Sequence, residues 1–332
     1  MPTLSAPRRI APSRLAAARR VRRLATAPGV VVVGDLVVDV MLLPDRPLER
    51  STDVPGKVRL RQGGSATTTA RWLGRLGARS SLVCAIGRDS VGRALVAAVS
   101  GDGVQVRAVR VAGAPTGRIG VLVEPGGERS FVQDRGAALR LRPEDLKPEW
   151  FAGADVVHLP AYSLLDQPLG LAGMAATRLA RAAGAQVTLD LSSTAPLLAK
   201  GRRAALALIA EADPDLIFAT RDEARALTGE KKGDEGLLEL APVAVVKRGR
   251  KGATVLVRDG KRSLRFEVAT TPTRTSDTTG AGDAFSAGFL YAWLDARKRG
   301  IAAGAALQRG AVAGNRAALR HLSNPPGELP LA

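Results

Sequence analysis

The stretch Asp277-Thr278-Thr279-Gly280-Ala281-Gly282-Asp283-Ala284-Phe285-Ser286-Ala287-Gly288 decides how the rest of the chain is read. A strand candidate over 264–269 precedes it, and an apolar helix over 281–297 follows. Small residues at Gly280, Ala281 and Gly282 let the backbone approach a ligand closely. A helix that opens there presents unpaired N–H groups and the positive end of its dipole. Together these make an anion hole suited to a transferring phosphoryl group. Asp283 sits at its lip. A carboxylate is a poor permanent neighbour for phosphate, but it fits a general base that takes the proton of an attacking hydroxyl. The dipole should keep that carboxylate ionised. A dinucleotide fingerprint would need Gly three residues after Gly282, where Phe285 stands. A Walker A loop would need Gly-Lys-Ser/Thr, which occurs nowhere in the chain. For a lone Gly-x-Gly-Asp the structural alternative, Asp283 as a helix cap beside tightly packed glycines, would be preferred.

Outward from this turn, the chain alternates strands and helices. Residues 30–33 read as a buried first strand that ends at Gly34 and Asp35. A helix is expected over 65–77, a strand over 83–86 and a helix over 91–99. Residues 104–135 hold short alternating runs between Gly-Pro-rich turns, which predicts antiparallel strands or hairpins. From Asp155 onward, strands are expected at 156–159, 186–191, 216–219, 243–247 and 254–257, with helices at 168–183, 197–211 and 222–228. The last two of these strands, joined by a Gly-containing turn, read as an edge hairpin. Helices over 281–297 and 301–320 close the chain. The alternation predicts an α/β domain over 30–332, with a mostly parallel sheet covered on both faces. A small β-rich addition would come from about 41–62 and 113–135. Ligands in such sheets bind beyond the carboxyl ends of the strands, where the 277–288 turn lies.

Composition narrows the function. The 332 residues are 45 % hydrophobic, with no run approaching a membrane span, so neither a disordered chain nor a transmembrane protein is expected. Cys84 is the only cysteine and His158 and His321 the only histidines, which excludes a disulfide framework and a Cys- or His-rich metal centre. The formal charge of +18 invites a nucleic-acid reading. Seven arginines of residues 1–30 contribute to it (Arg8, Arg9, Arg14, Arg19, Arg20, Arg22 and Arg23), and aromatics are only 3 %, so stacking platforms are scarce and nucleic acid is not the expected partner. Residues 1–29 lack the apolar core of a secretory signal. They read as a basic, disordered extension, with an organelle transit peptide as the alternative. The catalytic unit is expected in the cytoplasm.

The run from Asp277 to Leu290 resembles the C-terminal signature of the ribokinase-like (PfkB) carbohydrate kinase family. Gly63-Gly64-Ser65-Ala66-Thr67-Thr68-Thr69-Ala70, with Leu76-Gly77, resembles its first signature, and Ala85-Ile86-Gly87-Arg88-Asp89-Ser90-Val91-Gly92 resembles the segment after that helix. The similarity runs from about residue 30 to 322. It implies a ribokinase-like three-layer α/β/α sandwich with a β-rich lid, and transfer of the γ-phosphoryl of ATP to a hydroxyl of a sugar or sugar-like substrate. A nucleoside acceptor, or a non-catalytic nucleotide-binding regulator on the same scaffold, are the alternatives.

Residue by residue, the resemblance makes Asp283 the catalytic base, with Gly280, Ala281 and Gly282 as the anion hole. Asp39, preferred over Asp35, would bind acceptor hydroxyls beside Gly63, Gly64 and Thr68. Thr68 stands where the family usually has Asn. Thr220 also replaces an Asn, in a pattern whose Glu223 is kept and would orient Mg2+ through water. Lys247, Gly249 and Gly252 fall in the nucleotide-side turn, with Gly310 and Ala313 beside the adenine. Asp277 and Thr279 resemble positions whose carbonyls hold a monovalent cation such as K+ in some relatives. Asp190 resembles a central acidic position, and Arg135 the substrate edge. The lid implies a homodimer.

Overall fold

The computed structural model describes residues 26–260, 262–273, 277–324 and 327–329. The expectation for residues 1–29 falls almost wholly outside them. Of that segment, Ala27 is buried, and its carbonyl accepts a hydrogen bond from Arg79 Nε at 3.2 Å.

Strand β1 (Gly29–Val33) is buried along its whole length. Successive side chains of a strand point to opposite faces. Val31 and Val33 join one apolar cluster with Val157, Leu159 and Val187, while Val30 and Val32 join another with Leu73, Leu82 and Phe218. A strand apolar on both faces belongs in the middle of a covered sheet. β1 lies between β4 (Arg79–Gly87) and β8 (Val156–Pro160), parallel to both. The sheet continues through β9 (Gln186–Asp190), β10 (Leu216–Thr220) and β11 (Val243–Lys247), again in parallel. The antiparallel strands β12 (Ala253–Asp259) and β13 (Arg262–Val268) then close that edge, with β11 and β12 forming the expected hairpin.

Helices cover both faces. One layer holds Leu169–Ala182, Arg202–Ala212 and Arg221–Thr228. The other holds Ser65–Leu76, Ser90–Gly101, Ala281–Lys298 and Ala303–Ser323. This is a three-layer α/β/α sandwich.

A second sheet stands beyond the strand ends, in the order β3–β2–β6–β7, from β2 (Val37–Pro44), β3 (Gly56–Gly63), β6 (Gly117–Val123) and β7 (Arg129–Asp134). It is the expected lid, entered four residues earlier than the sequence suggested. It is also mixed, because β2 and β6 pair in parallel.

Two local expectations change. Residues 104–111 form β5 (Val104–Val111), which pairs in parallel with β4 at the edge of the main sheet. Its residues are mostly half-buried against both apolar layers, and hydrophobic period alone does not separate such an edge strand from a hairpin strand. The helix expected over 197–211 is two, Thr194–Leu198 and Arg202–Ala212, because Gly201 takes φ 88° between them.

Candidate active site

Two helix N-termini converge at the carboxyl ends of the strands. The helices Ser65–Leu76 and Ala281–Lys298 both start from glycine caps, Gly64 at φ 100° and Gly280 at φ 79°, with no side chain capping either. A residue with a Cβ is strained at such angles. The first-turn amides are thus left for a ligand. Ser65 Oγ donates to Asp283 Oδ1 at 2.5 Å and ties the two helix starts together. The Ala281 amide donates to the Thr278 carbonyl at 3.2 Å. The helix geometry therefore leaves the amides of Gly282 and Asp283 without an intrahelical acceptor. Of the three residues expected to form an anion hole, Ala281 thus has its amide already engaged.

Burial pushes the Asp283 carboxyl up from 3.8 to about 8. The hydrogen bond from Ser65 and the nearby Lys247 ammonium oppose the rise, while Asp190 and Asp35 add to it. The dipole therefore does not hold Asp283 in the ordinary carboxylate range. A base titrating near neutrality is well matched to proton transfer.

A cavity of about 390 Å³ under the lid is lined by Asp39, Gly63, Gly64, Thr68, Phe131, Tyr162 and Asp283. Desolvation raises Asp39 from 3.8 to about 7, with Asp35 adding to the rise and Arg61 opposing it. Gly63 is required beside it, since a Cβ there would run into Asp39 Oδ1. Asp35 does not line this cavity. Its carboxylate accepts from the Ala66 amide and from Arg135 Nη2, both at 3.4 Å. Arg135 is accordingly a buried structural residue, between Asp35 and Asp166 and over the Tyr162 ring. The Thr68 hydroxyl donates to the Gly64 carbonyl at 3.0 Å, so it is engaged within the first turn.

The neighbouring cavity, of about 420 Å³, is lined by Thr220, Lys247, Gly249, Gly252, Thr271, Asn315 and Leu319 among others. Gly310 and Ala313 do not line it. Gly310 packs on the Phe289 ring, and the Ala313 carbonyl abuts Gly288 where the last two helices cross. The face toward the cavity is Asn315, Ala318, Leu319 and Leu322, at helical spacing. Thr220 and Glu223 form a capping box. Thr220 N donates to Glu223 Oε2 at 2.8 Å, and Glu223 N donates to Thr220 Oγ1 at 3.2 Å. Burial raises Glu223 above the ordinary carboxylate range, although Lys247 opposes the rise. Lys247 is not a solvated turn residue: its ammonium is paired with the buried carboxylate of Asp190.

Among the described residues no group of three or more metal-ligating side chains forms. The Asp277 carboxylate faces Arg61 Nη1 at 3.5 Å and Arg129 Nη2 at 2.9 Å, both reaching from the lid. Arg129 also bonds Thr279 Oγ1. The Thr279 carbonyl lies 2.7 Å from His321 Nε2. His321 Nδ1 accepts from Trp72 Nε1 at 3.1 Å, and because indole is only a donor this puts the proton on Nε2. His321 and Trp72 therefore brace the turn before the Ala281–Lys298 helix. Sequence reading did not find them, because they lie 249 residues apart. Ser65, Arg61 and Arg129 were missed for the same reason. His158 is a buried core residue, with Nδ1 2.9 Å from Thr188 Oγ1 and its pKa lowered by burial to about 4.

The profile of the pfkB family carbohydrate kinases matches residues 27–326. Probable fructokinase-4 of Arabidopsis thaliana is 29 % identical over 277 residues, covering 81 % of this chain and 83 % of the relative. The crystal structure of adenosine kinase from Sinorhizobium meliloti superposes with a TM-score of 0.75 at 25 % identity, covering 92 % of this chain and 97 % of that one. That of the PfkB protein from Polaromonas sp. JS666 gives 0.71 at 26 % identity, covering 88 % and 96 %. The cleft between two helix starts, the lid and a profile match across nearly the whole chain place this protein in the pfkB family of carbohydrate kinases, phosphotransferases with an alcohol group as acceptor.

Proposed function

We propose that the protein transfers the γ-phosphoryl group of ATP to a hydroxyl of a sugar or sugar-like substrate. The observation that carries this reading is the position of Asp283. It lies in the lid cavity, one residue after Gly282, which lines both cavities, so an acceptor hydroxyl beside Asp283 faces the point where the cavities meet. The acceptor oxygen attacks the γ-phosphorus while its proton passes to the Asp283 carboxylate. The bond from phosphorus to the β–γ bridging oxygen breaks, and its electron pair stays on ADP. The amides of the helix start carry the developing charge, and catalysis is mostly positioning and electrostatics.

In this reading Asp39, with Gly63, Gly64 and Thr68, holds the acceptor. Thr220, Lys247, Gly249 and Gly252 border the nucleotide, and the lid excludes water. Mg2+ would be held by the nucleotide phosphates and, through water, by Glu223, whose buried carboxylate in the cleft suits an ion that keeps most of its own waters. It supplies charge neutralisation at the phosphates when bound. A monovalent cation would use the Asp277 and Thr279 carbonyls; the Thr279 carbonyl already accepts from His321 Nε2, which leaves it one lone pair for such an ion.

The fructokinase relatives point toward a ketohexose. A nucleoside acceptor is the second reading, favoured by Phe131 and Tyr162 in the acceptor cavity, where a base could stack, and by the adenosine kinase likeness. Coupled measurement of ADP release over a panel of ketoses, aldoses and nucleosides separates the two. ATP binding without turnover on any acceptor would favour a regulator, and absence of ATP binding would end the kinase reading.

In this reading residues 30–332 make up the catalytic unit. Leu42, Val58 and Val132 are exposed on the lid face turned away from the cavity, and a homodimer through that face is the expected assembly, which sedimentation tests. No helix of the described residues is long and apolar enough to cross a membrane. Activity in the cytoplasm is the working expectation.

A further inference from the structure

Thr220, Lys247, Thr278 and Gly282 line both cavities, and Lys247 alone among them is charged. Its ammonium is held firmly. Nζ donates to Asp190 Oδ1 at 2.9 Å and to Oδ2 at 2.7 Å. Asp190 is braced in turn by Ser286 Oγ at 2.8 Å and by the Ser192 amide at 3.1 Å. An ammonium has three N–H donors, so one remains beyond the two given to Asp190. A Cβ at Gly282 would lie 3.2 Å from Nζ, which places the ammonium against the first turn of the Ala281–Lys298 helix. Burial works against the charge, but Asp190, Glu223 and Asp283 outweigh it and raise the Lys247 pKa, so the ammonium keeps its proton. The Thr220 hydroxyl beside it accepts the Glu223 amide within a helix cap.

We propose that Lys247 is a catalytic residue, whose ammonium donates its third N–H to the phosphoryl group as it passes between the cavities. This deepens the kinase reading and rests on it. Lys247 keeps its three protons throughout; the proton released in the step goes from the acceptor hydroxyl to Asp283. Asp190 aims the ammonium and stops it collapsing onto Glu223 or Asp283.

An ion pair with only a structural role is often replaceable by neutral groups without loss. That separates the two explanations. Binding of Mg–ADP, alone and with aluminium fluoride as a planar phosphoryl mimic, is measured by calorimetry on wild type and Lys247→Met, and needs no acceptor. ADP affinity should stay within about threefold, while the extra affinity given by the mimic should fall about 100-fold, as on removal of one donor to a transition-state anion. With the acceptor found by the panel, kcat should fall by a similar factor at nearly constant KM for ATP.

Lys247→Met leaves Asp190 buried without its partner, so Asp190→Asn/Lys247→Met is tested beside it. The double variant has no stranded charge and should melt near wild type, yet remain about 100-fold slow. Recovery of kcat in the double variant, or a K247M that keeps kcat or loses affinity for ADP itself, overturns the inference. A wild type that binds no ATP and turns over no acceptor overturns the kinase reading instead.

Discussion

Asp283→Asn should make the protein inactive and more stable, by an amount that depends on pH. In the folded wild type, the carboxyl is pushed from 3.8 to about 8. Between those values the folded chain holds a proton that the unfolded chain has released. Stability therefore falls as pH rises through this window. Asparagine does not titrate and can still accept the Ser65 hydrogen bond. The stability gap between variant and wild type should thus open from about pH 4 and level off above about pH 8. At pH 7, roughly three units above the unfolded value, the ceiling is about 4 kcal/mol. The carboxyl opens onto a cavity, and screening there reduces the expected gain to about 1–2 kcal/mol. For a chain of this size that is a rise in Tm of about 1.5–3 °C. Thermal unfolding of both proteins from pH 5 to 9 at constant ionic strength measures it, and turnover on the same samples should fall by about 10²–10⁴-fold. A gap that stays flat with pH, or an Asn variant less stable at pH 8, refutes the electrostatic argument. Near-normal turnover refutes the assignment of the base.

Other outcomes follow from the same geometry. If Asp39 and Asp283 both act ionised, kcat/KM for the acceptor should rise with pH through inflections near 7 and 8; a profile flat between pH 6 and 9 contradicts that. Gly249→Ala faces open space at φ 55° and should cost about 1 kcal/mol of stability in urea unfolding. Gly252→Ala, at φ 85° and aimed into the Val268 carbonyl, should cost about 3 kcal/mol or more, and equal costs would contradict the placement of this turn. His321→Phe leaves both the Thr279 carbonyl and Trp72 Nε1 without their bonds and should cost about 1–3 kcal/mol. It should also lower kcat more than Trp72→Phe does, because only His321 touches the turn before the Ala281–Lys298 helix.

Much of the fold was legible because its signals are local. A Val30–Val33 run apolar on both faces must be central, and strands alternating with helices imply a parallel sheet. The same local signals failed at β5, where an edge strand and a hairpin strand share one pattern, and at Gly201, where a backbone angle splits a helical stretch. At the site, the glycine-flanked Asp283 was readable for a similar reason. Close backbone approach and a helix start both leave their mark within a few residues. Which face of the last helix meets the neighbouring cavity was not readable. Gly310 and Asn315 are both small or polar, and only the crossing with Phe289 sends one into the packing and leaves the other to the cavity.

The sequence by itself determined the architecture and singled out the 280–283 turn, since each depends on periodicity or on neighbours along the chain. The tertiary structure decided what surrounds the Asp283 carboxyl. Ser65, Asp190 and Lys247 reach it from strands and helices far apart in the chain. The desolvation of Asp283 itself, adjusted by these neighbours, sets its affinity for a proton. Electrostatic energy depends on distance through space and on desolvation, and neither is encoded in sequence separation.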